Sequence, residues 1–195
     1  MQRKEFESNQ YDLIYATGGV DQIYDPPYRR SGYYPLFKEV HRTLKSRGVS
    51  SILEVGCGTG GFAHLLTDRE PDIGYRGFDF SPIAIQRAAA RLGRPELFFV
   101  GDARARESYR MEAEAVVCTG VLEHIDADLE VIAMWAAGAY CVYSVPNFDA
   151  DNHVRYYRFE EEVRQRYGSL KPPGSLIANS NIVSVGHQIG ATYGQ

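Results

Sequence analysis

The sequence predicts an α/β protein built on a doubly wound, mostly parallel sheet with helices layered on both faces. Three observations predict it. From Ser50 onward, short apolar runs alternate with helix-period segments. Each run is rich in residues that suit strands and too short for a lone helix. A glycine-dense turn, "GCGTGG", separates the first run from the first helical segment. With 195 residues, 44% of them hydrophobic and 24% charged, the chain suits one domain able to bury a core.

The N-terminal segment, residues 1–47, is set apart by its tyrosines. Six of the chain's fourteen stand there, at Tyr11, Tyr15, Tyr24, Tyr28, Tyr33 and Tyr34, around the turn "YDPPY". A helix is expected from about Tyr34 to Ser46, with Arg47 as a basic last-turn residue and Gly48 as the C-cap glycine. The first strand, "SILEVG", leads through the glycine turn into "GFAHLLTDR", where Phe62, Leu65 and Leu66 share one helical face. The second strand, "YRGFDF", precedes "SPIAIQRAAARLG", which has Ser81 as N-cap, Pro82 at the first helical position and Gly93 as its stop. "ELFFVG", "AEAVVCTG" and "AYCVYSVP" supply strands three to five. Helices are expected over 126–137 and 159–167, the second ending before Gly168 and "KPPG". Beyond Gly174 the chain is strand-like but weakly patterned, giving one or two final strands. The expected organisation is a lid at 1–47, a core at 48–170 and C-terminal strands at 171–195.

Charge and composition narrow the functional classes. Lys and Arg total 21 against 25 for Asp and Glu, a net charge of −4, which gives no general pull toward nucleic acid or anionic membrane. No run approaches the roughly 20 apolar residues of a membrane span. "MQRKEFESNQ" has no apolar run behind its basic residues, so a cytoplasmic location is expected. Cys57, Cys118 and Cys141 are an odd set without a C-x-x-C spacing, which fits reduced thiols. Cys118 and Cys141 lie in apolar runs as small core residues, while Cys57 sits in the glycine loop, placed to line a ligand.

The glycine loop reads two ways. As G-x-G-x-x-G, through Gly56, Gly58 and Gly61, it matches a dinucleotide fingerprint; as E-x-G-x-G-x-G, it joins Glu54 to Gly56, Gly58 and Gly60. Either way a loop without Cβ atoms lets backbone N–H groups approach a ligand. Glu54 discriminates between them. A carboxylate near the strand's end repels a pyrophosphate and welcomes an ammonium. Asp79 ends the second strand, where an acid accepts hydrogen bonds from two ribose hydroxyls. Asp102 ends the third by the same geometry, available to an adenine amino group.

Glu54, the glycine loop, Asp79, Asp102 and "GVLEHI", in that order, resemble the class I S-adenosylmethionine-dependent methyltransferases of small-molecule type, over roughly residues 33–168. The resemblance implies a Rossmann-like three-layer α/β/α fold of the class I methyltransferase type, an enzyme, and S-adenosylmethionine as cofactor with S-adenosylhomocysteine as product. It implies that Glu54, Gly56, Cys57, Gly58 and Gly60 face the methionine part, Asp79 with Phe80 the ribose side, and Asp102 with Ala103 the adenine. Thr119 and Gly120 would line the methionine and acceptor side.

Methyl transfer from a sulfonium gains most from fixing donor and acceptor in line and excluding water. A base helps if the acceptor is a hydroxyl or a protonated nitrogen. His153, in a polar loop after the fifth strand, is the first choice; His124, after the fourth, is the second, with a structural role competing for it. Tyr24, Tyr28 and Tyr33, with Asn147 and Phe148 opposite, are expected to form an aromatic pocket for a small, planar acceptor on oxygen or nitrogen. Glu123, His124 and His153 also offer metal ligands. "LEH" and "SVPNF" are similar to metal-using RNA-end 2′-O-methyltransferases, whose E-x-x-E-H pattern has its first Glu replaced here by Gly120. That departure and the acidic balance argue against a metal and against nucleic acid as partner. The same residues are compatible with an inactive cofactor-binding partner subunit, and the G-x-G-x-x-G spacing with a nicotinamide-dependent oxidoreductase, which Glu54 disfavours. Nothing in the sequence fixes an oligomeric state.

Overall fold

The computed structural model describes residues 5–18, 24, 26–168, 174–178 and 181–187. Parts of the expected lid (1–4, 19–23 and 25) and of the C-terminal segment (169–173, 179–180 and 188–195) lie outside the described residues. The helices are α1 (Ser8–Thr17), α2 (Tyr34–Arg47), α3 (Gly61–Arg69), α4 (Pro82–Leu92), α5 (Asp128–Ala133) and α6 (Glu160–Arg166). The strands are β1 (Ser51–Val55), β2 (Gly74–Asp79), β3 (Phe98–Val100), β4 (Ala115–Thr119), β5 (Tyr140–Pro146), β6 (Gly174–Ala178) and β7 (Asn181–His187).

They form one sheet in the order β3-β2-β1-β4-β5-β7-β6. The first five strands are parallel, and β7 runs antiparallel to both β5 and β6. The α/β, mostly parallel architecture expected from the alternation of runs is the one observed, with two final strands.

Side chains alternate across the strands and feed two cores. Leu53, Val55, Val116, Cys118, Tyr143 and Val145 face α5 and α6, with Trp135, Tyr157 and Tyr167. Ile52, Ala115, Val117 and Val142 face α2, α3 and α4, through Leu36, Leu44, Phe62, Leu65, Leu66 and Ala88. Cutting a fully buried side chain such as Ile52 back to Ala would cost roughly 2–5 kcal/mol. Cys118 and Cys141 are buried in the first of these cores, as expected, and neither forms a disulfide with the other or with Cys57. Among the described residues no helix is long and apolar enough to cross a membrane.

Helix signals worked where the caps are local. The Ser81 hydroxyl accepts from the Ala84 N–H at 3.1 Å, and α4 stops at Gly93 in the left-handed region. The helix expected over 126–137 is shorter, α5 ending at Ala133. There Met134 and Trp135 bond back three residues, to Val131 and Ile132, and the chain then turns through Gly138 into β5. The expected helix over 159–167 is α6, with the Glu162 carboxylate accepting from the Phe159 N–H at 3.2 Å.

β1 has β2 on one side and β4 on the other. The chain winds outward from β1 to β3, then returns to β4 and β5, so the crossover connections diverge between β1 and β4. In such sheets the crevice beyond the strands' carboxyl ends at this point receives the ligand. The loops after β1 and β4 meet there.

Candidate active site

The loop after β1 has its own internal logic. Gly56, Gly58 and Gly60 have φ of 68°, 52° and 75°, a region that disfavours other L-residues. A Cβ on Gly56 would lie 2.3 Å from Val121 Cγ2, so the glycine is what allows the post-β4 loop to cross here. A Cβ on Gly58 would point toward the Tyr15 hydroxyl, 3.5 Å away, across a cleft. Gly60, expected to face a cofactor, stands against α4. It lines neither cavity of the site, and its Cβ would lie 3.0 Å from Ala88 Cβ, so its bareness serves the packing of α3 against α4. Cys57 donates its N–H to the Phe78 carbonyl at 2.9 Å, and burial pushes its thiol well above the ordinary value, so it lines the cleft as an inert group.

Glu54 is 3% exposed, and one carboxylate oxygen accepts a hydrogen bond from the Tyr75 hydroxyl. Burial raises its pKa to about 8, against the pull of that hydroxyl. Its donor partner is thus already present in the protein, which differs from a carboxylate waiting only for a ligand's ammonium. Asp79 ties two loops together, accepting from the Gly58 and Ser81 N–H groups at 3.0 Å each. Burial raises it to about 6 while those N–H groups pull it down. Asp102 is more open, its side chain 37% exposed. Burial acts to raise its carboxyl, and the Arg104 guanidinium, 2.7 Å away, overrides that and holds it below the usual range. Arg104 also lies 3.4 Å from Glu5, so an adenine amino group at Asp102 would have to share its carboxylate with this side chain.

Two cavities join beyond the sheet. The first, about 570 Å³ including open solvent, is lined by Asp79, Phe80, Asp102, Ala103 and Arg104, with Glu5, Phe6, Tyr11 and Tyr15 of the N-terminal segment. The second is a broad cleft, about 2400 Å³ including open solvent, that takes in Glu54, Cys57, Gly58, Thr119, Tyr24, Tyr28, Tyr33, Phe148 and His153. Phe6, Tyr11, Tyr15, Gly56, Gly120 and His124 line both, so they frame the passage between the two. Asn147, expected at the acceptor side, lines neither.

The tyrosines divide into two groups. Tyr15, Tyr24 and Tyr33 form a run of rings, with centroids 4.9 Å and 6.3 Å apart, over the second cleft. Tyr28 is buried, and its hydroxyl is spent on Asp68 at 2.8 Å, so its polar end faces α3 rather than the cleft. Helix α1 is held over the first cavity by side chains. Asp12 accepts from the Ser81 hydroxyl, Ser8 donates to the Phe80 carbonyl at 3.0 Å, and Arg87 donates to the Tyr15 carbonyl. Sequence reasoning placed Tyr11 and Tyr15 in a lid without marking them as the two that reach the passage. No local pattern distinguishes them, because their position follows from the docking of α1 on α4.

Past the passage stand Glu123, His124 and His153, with one ligand atom from each within 4.8 Å of the others. Burial pushes Glu123 up to about 7, and its Oε2 has no partner among the described residues. His124 Nδ1 lies 2.7 Å from the Asn152 carbonyl and His153 Nδ1 lies 3.3 Å from that of Phe148. A carbonyl only accepts, so each ring carries its proton on Nδ1 and, when neutral, a lone pair on Nε2. Burial lowers both imidazole pKa values; Glu123 works the other way on His153. The trio offers either a base backed by a carboxylate or three ligands for a cation.

A family model described as methyltransferase domain matches residues 28–177. Among curated proteins, malonyl-[acyl-carrier protein] O-methyltransferase of Anoxybacillus flavithermus is 32% identical over 87 residues, which are 44% of this chain and 33% of that protein. The match thus spans about a third of the relative's length. Among solved structures, the N-methyltransferase NodS of Bradyrhizobium japonicum, in complex with S-adenosylhomocysteine, gives a TM-score of 0.66 at 19% identity, covering 94% of this chain and 99% of NodS. The methyltransferase domain of a bacterial Hen1 gives 0.64 at 20% identity, covering 80% of this chain and all of that domain. Magnesium protoporphyrin IX methyltransferase of Synechocystis, with bound S-adenosylmethionine, gives 0.63 at 16% identity, covering 92% and 90% of the two chains. At these identities the structural likenesses establish the fold.

Proposed function

The chain belongs to the methyltransferase-domain family, of class I S-adenosylmethionine-dependent type, and from that premise we propose that it methylates an oxygen or nitrogen atom of a small acceptor. The observation that carries this reading is the junction of two cavities at Tyr11, Gly56, Gly120 and His124, with the Glu123-His124-His153 trio on the far side. The residues present fit S-adenosylmethionine lying across the first cavity and the adjoining glycine-loop end of the second, where Glu54, Cys57 and Gly58 stand. Gly58 leaves room where a Cβ would enter the cleft, and the buried Asp79 carboxylate lies on the cavity wall with the rings of Tyr11, Tyr15 and Phe80. When bound, that cofactor supplies a methyl group on a positively charged sulfur.

The chain's own residues supply binding, orientation and proton handling. In this reading Asp79 accepts from ribose hydroxyls, and Glu54, once ionised, faces an ammonium. The rings of Tyr11 and Tyr15 wall the passage, excluding water and offering π faces to a cation. His153, with its lone pair on Nε2 and Glu123 beside it, takes a proton from the acceptor at that atom. His124, anchored through Nδ1, holds the adjoining wall. Tyr24, Tyr33 and Phe148 provide the flat apolar surface that favours a planar acceptor.

A second reading rests on the same trio. Three ligand atoms within 4.8 Å, one of them a buried carboxylate with an unpartnered oxygen, suit a divalent cation, and the reading then becomes metal-assisted methylation of a hydroxyl, including one at an RNA end. Gly120 leaves the fourth protein position bare. Screening planar hydroxy and amino acceptors for S-adenosylhomocysteine release, with and without chelator, tests both. Turnover indifferent to chelator supports the base reading. Turnover abolished by chelator and restored by added Mn²⁺ or Mg²⁺ supports the metal reading.

A further inference from the structure

The trio stands on two separate loops, and little backbone structure joins them. Glu123 and His124 belong to a single turn of 3₁₀ helix after β4, whereas His153 lies in the long loop after β5. Where the loops meet, the Val154 N–H donates to the Glu123 carbonyl at 2.8 Å. The Arg155 N–H lies 3.4 Å from the same carbonyl, His124 Nδ1 bonds the Asn152 carbonyl at 2.7 Å, and the Arg155 side chain adds three further bonds. Arg155 Nη1 donates to the Leu122 carbonyl at 2.7 Å and to the Ile125 carbonyl, and Nη2 donates to the Asp126 carbonyl at 3.0 Å.

Behind it, Arg155 Nη1 lies 3.2 Å from Asp128 Oδ2. Asp128 is fully buried and also receives Arg166 Nη2 at 2.6 Å and the Tyr167 hydroxyl at 2.8 Å. The anion is thus held by α6 and the residue after it, and it in turn fixes the guanidinium. Within the short 3₁₀ turn the Leu122 carbonyl receives only a long bond from the Ile125 N–H, at 3.4 Å, and Arg155 adds a shorter donor to it and another to the Ile125 carbonyl, on either side of Glu123 and His124.

From this the geometry points to Arg155 as a positioning residue that sets the spacing between the Glu123-His124 turn and His153, and so shapes the acceptor side of the site. It lies within neither cavity's lining and acts through the residues it holds. Three carbonyls and a carboxylate arranged about one group require a planar fork of N–H donors, which an ammonium does not reproduce. The inference rests on the reading of the trio as the acceptor-side machinery.

The test compares Arg155→Lys and Arg155→Ala with the wild-type chain in three measurements: S-adenosylhomocysteine affinity, turnover with the acceptor found by screening, and amide hydrogen exchange at Val154. Misplacing a reacting group by about 1 Å can cost about 100-fold. Both variants should lose roughly 10- to 100-fold in kcat and expose the Val154 amide to faster exchange, with cofactor affinity changed by less than about threefold. Methylguanidinium added to Arg155→Ala should restore turnover where methylammonium does not. If Arg155→Ala fails to fold, the comparison stands on Arg155→Lys, which keeps the charge beside Asp128. Val154 exchange unchanged in Arg155→Lys overturns the inference, whatever the turnover. Faster exchange with undiminished turnover sustains the clamp and instead removes the trio from the chemistry.

Discussion

Replacing Tyr75 with Phe separates a Glu54 that binds the cofactor from one that only completes the core. The Tyr75 hydroxyl donates to the buried Glu54 carboxylate and holds its pKa at about 8 against the upward push of burial. A hydrogen bond to a charged group contributes about 1.5–3 kcal/mol, equivalent to about 1–2 pKa units, so Tyr75→Phe should carry Glu54 to roughly 9–10. At pH 7 the ionised fraction then falls from about one in ten to between about one in 100 and one in 1000. If ionised Glu54 faces the ligand's ammonium, S-adenosylhomocysteine affinity at pH 7 should fall about 10- to 100-fold, and at pH 9 only about 2- to 10-fold. Calorimetric titration of both proteins at both pH values reads this directly, and the ligand's own ionisation cancels in the ratio. Thermal unfolding alongside separates lost affinity from lost fold. Affinities within about twofold at both pH values would refute the role of Glu54 charge in binding.

Three further outcomes are expected. His153→Ala should lower kcat by about 10²- to 10⁴-fold with S-adenosylhomocysteine affinity nearly unchanged; undiminished turnover removes it as the base. Deleting residues 1–30, which removes α1 and its Tyr11 and Tyr15, should abolish product formation, whereas retained activity would reduce the segment to packing. Glu54 has a folded pKa above its unfolded value, so its contribution to apo stability is complete below about pH 4.5 and is lost as pH rises through about 8. Glu123 behaves likewise up to about 7, while His124 and His153, lowered by burial, act in the opposite direction only below about 6.5. Between pH 7 and 8.5, therefore, unfolding free energy should fall by at most about 1.4 kcal/mol per pH unit from Glu54, and Glu54→Gln should flatten that slope.

What could be read from the chain followed the range of the interactions involved. Runs such as "SILEVG" and the cap and stop of "SPIAIQRAAARLG" carry their meaning within a few residues, so the strands and α4 were legible. The ends of α5 were not, because its shortening depends on how residues 134–138 turn into β5. Gly60 shows why a glycine's purpose is hidden in sequence: packing against Ala88 on α4 and approach to a ligand demand the same bare Cα. Glu54 was legible as a carboxylate needing a donor, but not its partner. Finding Tyr75 required the β1–β2 register, in which Glu54 sits opposite Gly77. The Arg104 side chain across Asp102 is only two residues away, yet "DAR" reads equally well as a solvated turn. Arg155, reaching back some thirty residues to the turn after β4, left no local trace.

The claim everything else depends on is that the cavity over Asp79 and the glycine loop holds S-adenosylmethionine. Calorimetric titration of the wild-type chain with S-adenosylhomocysteine and, separately, with NAD tests it most directly. One S-adenosylhomocysteine per chain, bound in the micromolar range, with NAD binding undetectable or far weaker, is the expected result. NAD binding more tightly than S-adenosylhomocysteine would contradict it and return the glycine loop to its dinucleotide reading.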